Sequence, residues 1–195
     1  MPDFDVLSND PLKSCNHVKN ELAKENIEVT INTYPPIGEL VAEHHSLQIG
    51  DEYIAFVYKP TACHSYNEIK IGSSKIKVGT IDTLLSFYMA FMYADRPYYD
   101  INRLLCLSTM LFTVQQRNRL KQSGLLKRFS TTCYGNQPTL SDIRDEKTNM
   151  RNKLDSSSRE YEEWFLNYTP NKTKKSKTIK TKKSKKVKNK TMKKN

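Results

Sequence analysis

PDFDVLS at residues 2–8, running straight into Asn9-Asp10-Pro11, is the stretch from which the fold is read. Side chains alternate across a strand, so Asp3 and Asp5 fall on one face and Phe4 is expected on the other, in the core. The following turn offers Ser8, Asn9 or Asp10 as an N-cap. Pro11 suits a first helical position, where a missing N–H costs nothing. A helix over 12–24 then carries Leu12, Cys15, Val18 and Leu22 at a spacing near 3.6 residues, and Glu25-Asn26 ends it.

Outward from this strand–helix start, residues 27–31 read as a second strand, and Pro35-Pro36 with Gly38 as a turn. Residues 47–49 and 53–58 form a hairpin around Gly50-Asp51-Glu52, and residues 68–78 form another around Gly72-Ser73-Ser74. The first eighty residues are therefore expected to be strand, helix and antiparallel meander. Past Gly79 the periodicity becomes helical. A helix starts at Thr80 or Asp82, runs to Tyr93 and stops at Asp95-Arg96-Pro97, and a second, capped by Asp100, runs over 101–122 to Gly124. A connector covers 125–141, and a third helical stretch covers 144–168. The fold class is α+β in three parts: a sheet-based unit over 1–79, a helical subdomain over 80–169 and a Lys-rich tail over 170–195.

Of the 32 basic residues, thirteen lysines lie in the tail with no acid among them, leaving 19 against all 21 acidic residues in 1–169. The body is slightly acidic, and the tail cannot bury enough apolar surface to offset its ordering entropy, so it reads as disordered. Mean hydropathy is −0.70, and no apolar run reaches the length of a membrane helix, so no membrane partner is expected. The acidic start is unlike a secretory or mitochondrial leader and points to a cytosol-like compartment. Cys15, Cys63, Cys106 and Cys133 have no Cys-x-x-Cys spacing and are expected as free thiols. His17, His44 and His45 lack partners at metal-ligand spacing and read as surface or half-buried histidines.

Asp3 and Asp5 are the candidate catalytic and metal-ligating residues, because two hard oxygen donors on one strand face suit Mg2+ or Mn2+ held against nucleotide phosphates. A strand–helix–strand–hairpin order directly after such a pair is the order of a nucleotidyltransferase palm. Six blocks, PDFDVLS (2–8), FVYKPTACHSY (56–66), TIDTLLSFYMAFMY (80–93), RPYYDINRLLC (96–106), GLLKRFS (124–130) and YEEWFLNY (161–168), resemble the catalytic subunit of the poly(A) polymerases of giant viruses and other large nucleocytoplasmic DNA viruses. The resemblance implies a partial nucleotidyltransferase palm at 1–79 and metal-dependent addition of AMP units from ATP to mRNA 3′ ends. It implies RNA as partner, with a homodimer or a viral processivity partner, and work in a virus factory in host cytoplasm, with the virion as a further location.

Members of that family are longer and carry a Gly-Ser-type turn before the paired aspartates, so the chain resembles their C-terminal part or one half of a split enzyme. A third carboxylate is expected on residues 53–58, where Ala55 and Phe56 stand instead; Asp51, Glu52 and Glu39 are the nearest substitutes. Thr80, Thr83 and Ser86 are candidates for sugar and phosphate contacts against a plainer capping role, and Tyr98-Tyr99 for base stacking against a core role. Arg117, Arg119, Lys121, Lys127 and Arg128 could form a basic track for RNA. The alternative to an enzyme is a noncatalytic RNA-binding or dimerisation subunit of the same origin.

Overall fold

The computed structural model of the chain describes residues 3–117 and 130–165. Strand β1 (Phe4–Leu7) leads into α1 (Pro11–Lys24), which is capped by the Asp10 carboxylate accepting from the Lys13 N–H at 3.0 Å. Of the apolar stripe expected on α1, Cys15 is fully buried while Leu12 and Val18 keep part of their surface exposed. The helix ends with Asn26 at φ 60°. The chain then needs residues 27–29 to reach the sheet, so the second strand, β2 (Thr30–Tyr34), begins later than its hydrophobic run suggests. Strands β3 (His44–Ile49) and β4 (Glu52–Tyr58) complete an antiparallel meander with β2.

β1 joins this sheet in parallel, beside β4, with Asp5 level with Phe56 and Leu7 level with Tyr58. The resulting order is β1-β4-β3-β2, with β1 at an edge. The second hairpin does not extend this meander as expected. Strands β5 (His64–Ile71) and β6 (Ser74–Gly79) form a separate sheet of order β6-β5-β7, whose third member, β7 (Cys133–Tyr134), comes from beyond the helices.

Helices α2 (Ile81–Ala94) and α3 (Ile101–Arg117) start where the sequence places them. Thr80 caps α2, and the Asp100 carboxylate accepts from the Arg103 N–H at 3.0 Å at the head of α3. The expected end of the second helix lies outside the described residues. The expected third helix is two helices, α4 (Leu140–Lys153) and α5 (Arg159–Phe165). Between them Asp155 accepts from the Ser157 N–H at 2.9 Å, and the Ser158 hydroxyl accepts from the Tyr161 N–H at 3.1 Å, a turn and a cap that compete with continued helix. α4 begins four residues early because Thr139 and Asp142 form a capping box.

The four-stranded sheet is packed on both faces. Cys15 of α1 lies on one face with Val29, Leu47, Ala55 and Val57. Phe91 and Ala94 of α2 and Leu104 of α3 lie on the other with Ile37, Val41, Phe56 and Tyr58. Phe4 is 73% exposed, contrary to its expected place in the core. α1 packs across β3 and β4, away from the outer edge where β1 begins. His44 and His45 are buried rather than half-buried; the His44 ring stacks between Tyr34 and Tyr58, with ring centroids 5.1 and 4.9 Å away.

Candidate nucleotide and metal site

Asp3 and Asp5 face the same small cavity, about 150 Å3, at the edge of the sheet, together with Phe56, Tyr58, Tyr88, Tyr99, Asp100 and Arg103. The strand alternation read from the sequence brings them there. β1 enters parallel to β4, so the odd-numbered side chains of β1 lie over the aromatic face of the sheet beneath α2 and α3. The Arg103 guanidinium holds Asp3 at 3.2 Å. Asp5 accepts a hydrogen bond from the Tyr58 phenol, which is itself held far above its ordinary pKa by burial and by the Asp5 charge, and so stays a donor.

The Asp5 carboxyl is pushed up to about 6, first by the protein mass around it and second by the Asp3 charge. Its residue surface nonetheless lies open to solvent on the outer side, so water at that lip screens part of the effect. Two carboxylates sharing an edge with a single guanidinium are under-compensated, which is the condition that a bound cation relieves. Among the described residues no group of three or more His, Cys, Asp or Glu stands ready to hold a metal ion.

The third carboxylate is not supplied by the residues singled out for it. Asp51, Glu52 and Glu39 line neither this cavity nor its neighbour, and Glu39 is paired with Lys147 at 2.7 Å. Phe56 and Tyr58 occupy the surface beside Asp5. Asp100, read only as a helix cap, is the further carboxylate on the cavity wall, and it keeps that capping bond.

Asp5 also lines a second cavity of about 370 Å3 between the two sheets and α2. Its walls are largely aromatic, with Tyr58, His64, Tyr66, Phe87, Tyr88 and Tyr134 joined by Ser65, Thr83 and Lys77. Burial keeps the His64 imidazole below its usual pKa, hence neutral, and its ring centroid lies 4.9 Å from that of Phe87. Lys77 Nζ sits 5.0 Å from the Tyr66 ring centre and 5.8 Å from that of Tyr134.

Of the three hydroxyls proposed from sequence, only Thr83 reaches this cavity, and it donates to the Ser65 carbonyl at 2.8 Å. Thr80 is fully buried as a cap, 2.7 Å from the Ser65 hydroxyl, and Ser86 donates to the Thr83 carbonyl. Tyr99 packs against the core, stacked on Phe91 with ring centroids 4.6 Å apart, and half-buried Tyr98 lies beside Tyr34 with ring centroids 5.1 Å apart; both line the smaller cavity. Of the basic track, Arg117 closes α3; its other members, like the Lys-rich tail, lie outside the described residues.

Tyr58, Arg103 and the large cavity are absent from the sequence reading. Arg103 has no local signal, because its partner lies a hundred residues away. Tyr58 could have been flagged as a polar tip ending an apolar strand.

No family model and no curated protein matches the sequence. Among solved structures the fold is similar to the crystal structure of the Megavirus polyadenylate synthase, with a TM-score of 0.51 and 13% identity over 78% of this chain. The matched part is 33% of the synthase, so the chain spans about a third of that protein's length. At this identity the likeness is one of architecture: the chain folds like part of a polyadenylate synthase.

Proposed function

We propose that this chain is the Asp-bearing part of a polynucleotide adenylyltransferase, with the β1–β4 sheet as its partial palm, Asp3 and Asp5 as metal ligands and ATP in the cavity beside them. The observation that carries the reading is the position of Asp5. It lies on the wall shared by an acidic pocket and an aromatic-lined cavity of about 370 Å3, and the surrounding architecture is similar to that of a polyadenylate synthase.

The donor set fits Mg2+ or Mn2+: hard oxygens, under-compensated charge and an open side for phosphate and water. When bound, such an ion would supply positive charge to the phosphates and favour ionisation of the RNA 3′ hydroxyl. The chain's own residues do the rest. Tyr58 orients the Asp5 carboxylate, and Arg103 fixes Asp3 on the same cavity through its ion pair, so these two side chains would be the ones to hold the ion. Phe87 and the neutral His64 offer flat faces to a base, and Lys77 offers a positive charge to phosphate or RNA.

A second reading, a noncatalytic RNA-binding subunit, is favoured by the aromatic pair where a third carboxylate would serve. The test is extension of an RNA primer with ATP and Mn2+, alongside binding of ATP to the same protein. With Asp3 and Asp5 as its candidate ligands and the capping Asp100 as the further carboxylate on the cavity wall, the chain alone is expected to bind ATP·Mn2+ but to extend primers little or not at all. Failure to bind ATP would favour the noncatalytic reading, and robust extension would show that two carboxylates suffice.

A further inference from the structure

The Cys63–Cys133 disulfide overturns the expectation of four free thiols, leaving Cys15 buried and Cys106 exposed as the free ones. The two cysteines are 70 residues apart in sequence and have Cα atoms 5.3 Å apart, because β7 returns to pair with the head of β5. That pairing has only two rungs, His64 with Tyr134 and Ser65 with Cys133. So short a strand has little independent hold on a sheet. Further ties near it are the Tyr66 N–H to the Thr132 carbonyl at 3.1 Å and the Asn9 N–H to the Tyr134 hydroxyl at 3.0 Å. Gly135 follows at φ 105° and lies so close to Ala62 and Pro60 that a side chain there would collide.

One residue of this strand, Tyr134, forms part of the wall of the large cavity. Tyr134 lines it together with Asp5, its ring centre lies 5.8 Å from Lys77 Nζ, and its hydroxyl accepts from the N–H of Asn9, two residues past β1. Cys133 is exposed, so a reductant can reach the bond.

We infer that Cys63–Cys133 is a redox-controlled strap: oxidised, it holds β7 as the cavity wall beside Asp5; reduced, it releases that wall and weakens ligand binding in the cavity. The step is a two-electron exchange with a dithiol. One thiolate of the dithiol attacks a disulfide sulfur, the second resolves the mixed disulfide, and the products are two protein thiols and the oxidised dithiol. The ligand part of the inference rests on the cavity being a nucleotide site; the release of β7 does not.

Thiol titration of the denatured, unreduced chain should find two free thiols, and four after reduction; four without reductant would overturn the strap. Hydrogen exchange of the whole chain before and after dithiothreitol reads the strap directly. Peptides over 130–135 and 63–66 should exchange about tenfold faster once reduced, with β3 and β4 unchanged. Equal exchange in the two states would overturn the inference. ATP·Mn2+ affinity should fall about tenfold on reduction, and equally in the paired Cys63→Ser, Cys133→Ser variant, with no further effect of dithiol on that variant. Unchanged affinity with a loosened β7 would overturn the control of binding. If the oxidised chain binds no ATP, the nucleotide reading fails while the exchange data still decide whether β7 is released.

Discussion

Asp5 holds its proton more tightly in the folded chain than in the unfolded one, at about 6 against an ordinary 3.8. At about pH 3.5 both states are mainly protonated and the residue costs little. As pH rises through the interval between these values the unfolded chain ionises first, so stability falls, and the penalty is complete above about pH 6. Discounted for the water at its open side, that penalty is about 1 kcal/mol. Asp5→Asn should therefore raise the melting temperature by about 3 °C at pH 7 in metal-free buffer and leave it unchanged at about pH 3.5; an equal shift at both pH values would contradict the assignment. At this scale the facing of Asp3 and Asp5 was legible, because alternation is a property of any strand. The exposure of Phe4 was not, because it depends on where α1 crosses the sheet.

α5 is seven residues long, and its buried carboxylate, Glu163, ties it to the end of α2. Glu163 is buried and pairs with Arg96, just past α2, at 2.9 Å and with Arg159, one turn earlier, at 3.0 Å; Arg159 also donates to the Ala94 carbonyl. Gly38, at φ 50°, packs against the Glu163 backbone and leaves no room for a side chain there. Removing the carboxylate leaves Arg96 without its partner, so Glu163→Ala should lower the unfolding free energy in urea by about 3 kcal/mol. Glu160→Ala, exposed on the same helix, should change it by under about 0.5 kcal/mol. Equal losses would mean that the ion pairs are not what docks α5.

Element starts at Asp10, Thr80 and Asp100 were readable because a cap is a local signal. The run Asp155-Ser156-Ser157-Ser158 carried the same kind of signal, a turn and a new cap, inside what otherwise scans as one long helix. Strand partners are a different matter. The parallel entry of β1 beside β4, and the departure of β5 and β6 to meet β7, are set by contacts far apart in sequence that no window of residues contains.

Across the whole molecule the charge is divided, with a slightly acidic body over 1–169 and thirteen lysines after it. If RNA is the partner, the tail supplies nonspecific, salt-sensitive affinity by releasing condensed counterions. A chain ending at Thr169 should bind poly(A) and mixed-sequence RNA more weakly alike, with a flatter salt dependence, by up to about 0.7 in log–log slope for each phosphate that the lysines no longer neutralise. An identical slope with and without the tail would place the RNA-binding surface on the folded body. The α+β class was legible from the change of periodicity at Gly79, and the cavity between the two sheets was not, since it arises only from how they meet.

That Asp3 and Asp5 form a metal–nucleotide site can be tested by titrating Mn2+ into the chain with ATP present and following bound metal, for the unaltered protein and for Asp3→Asn and Asp5→Asn. The expected result is a Mn2+·ATP complex that each substitution weakens about tenfold or more while far-UV circular dichroism stays unchanged. Mn2+ affinity that is the same in all three proteins would contradict the assignment of these two aspartates as metal ligands.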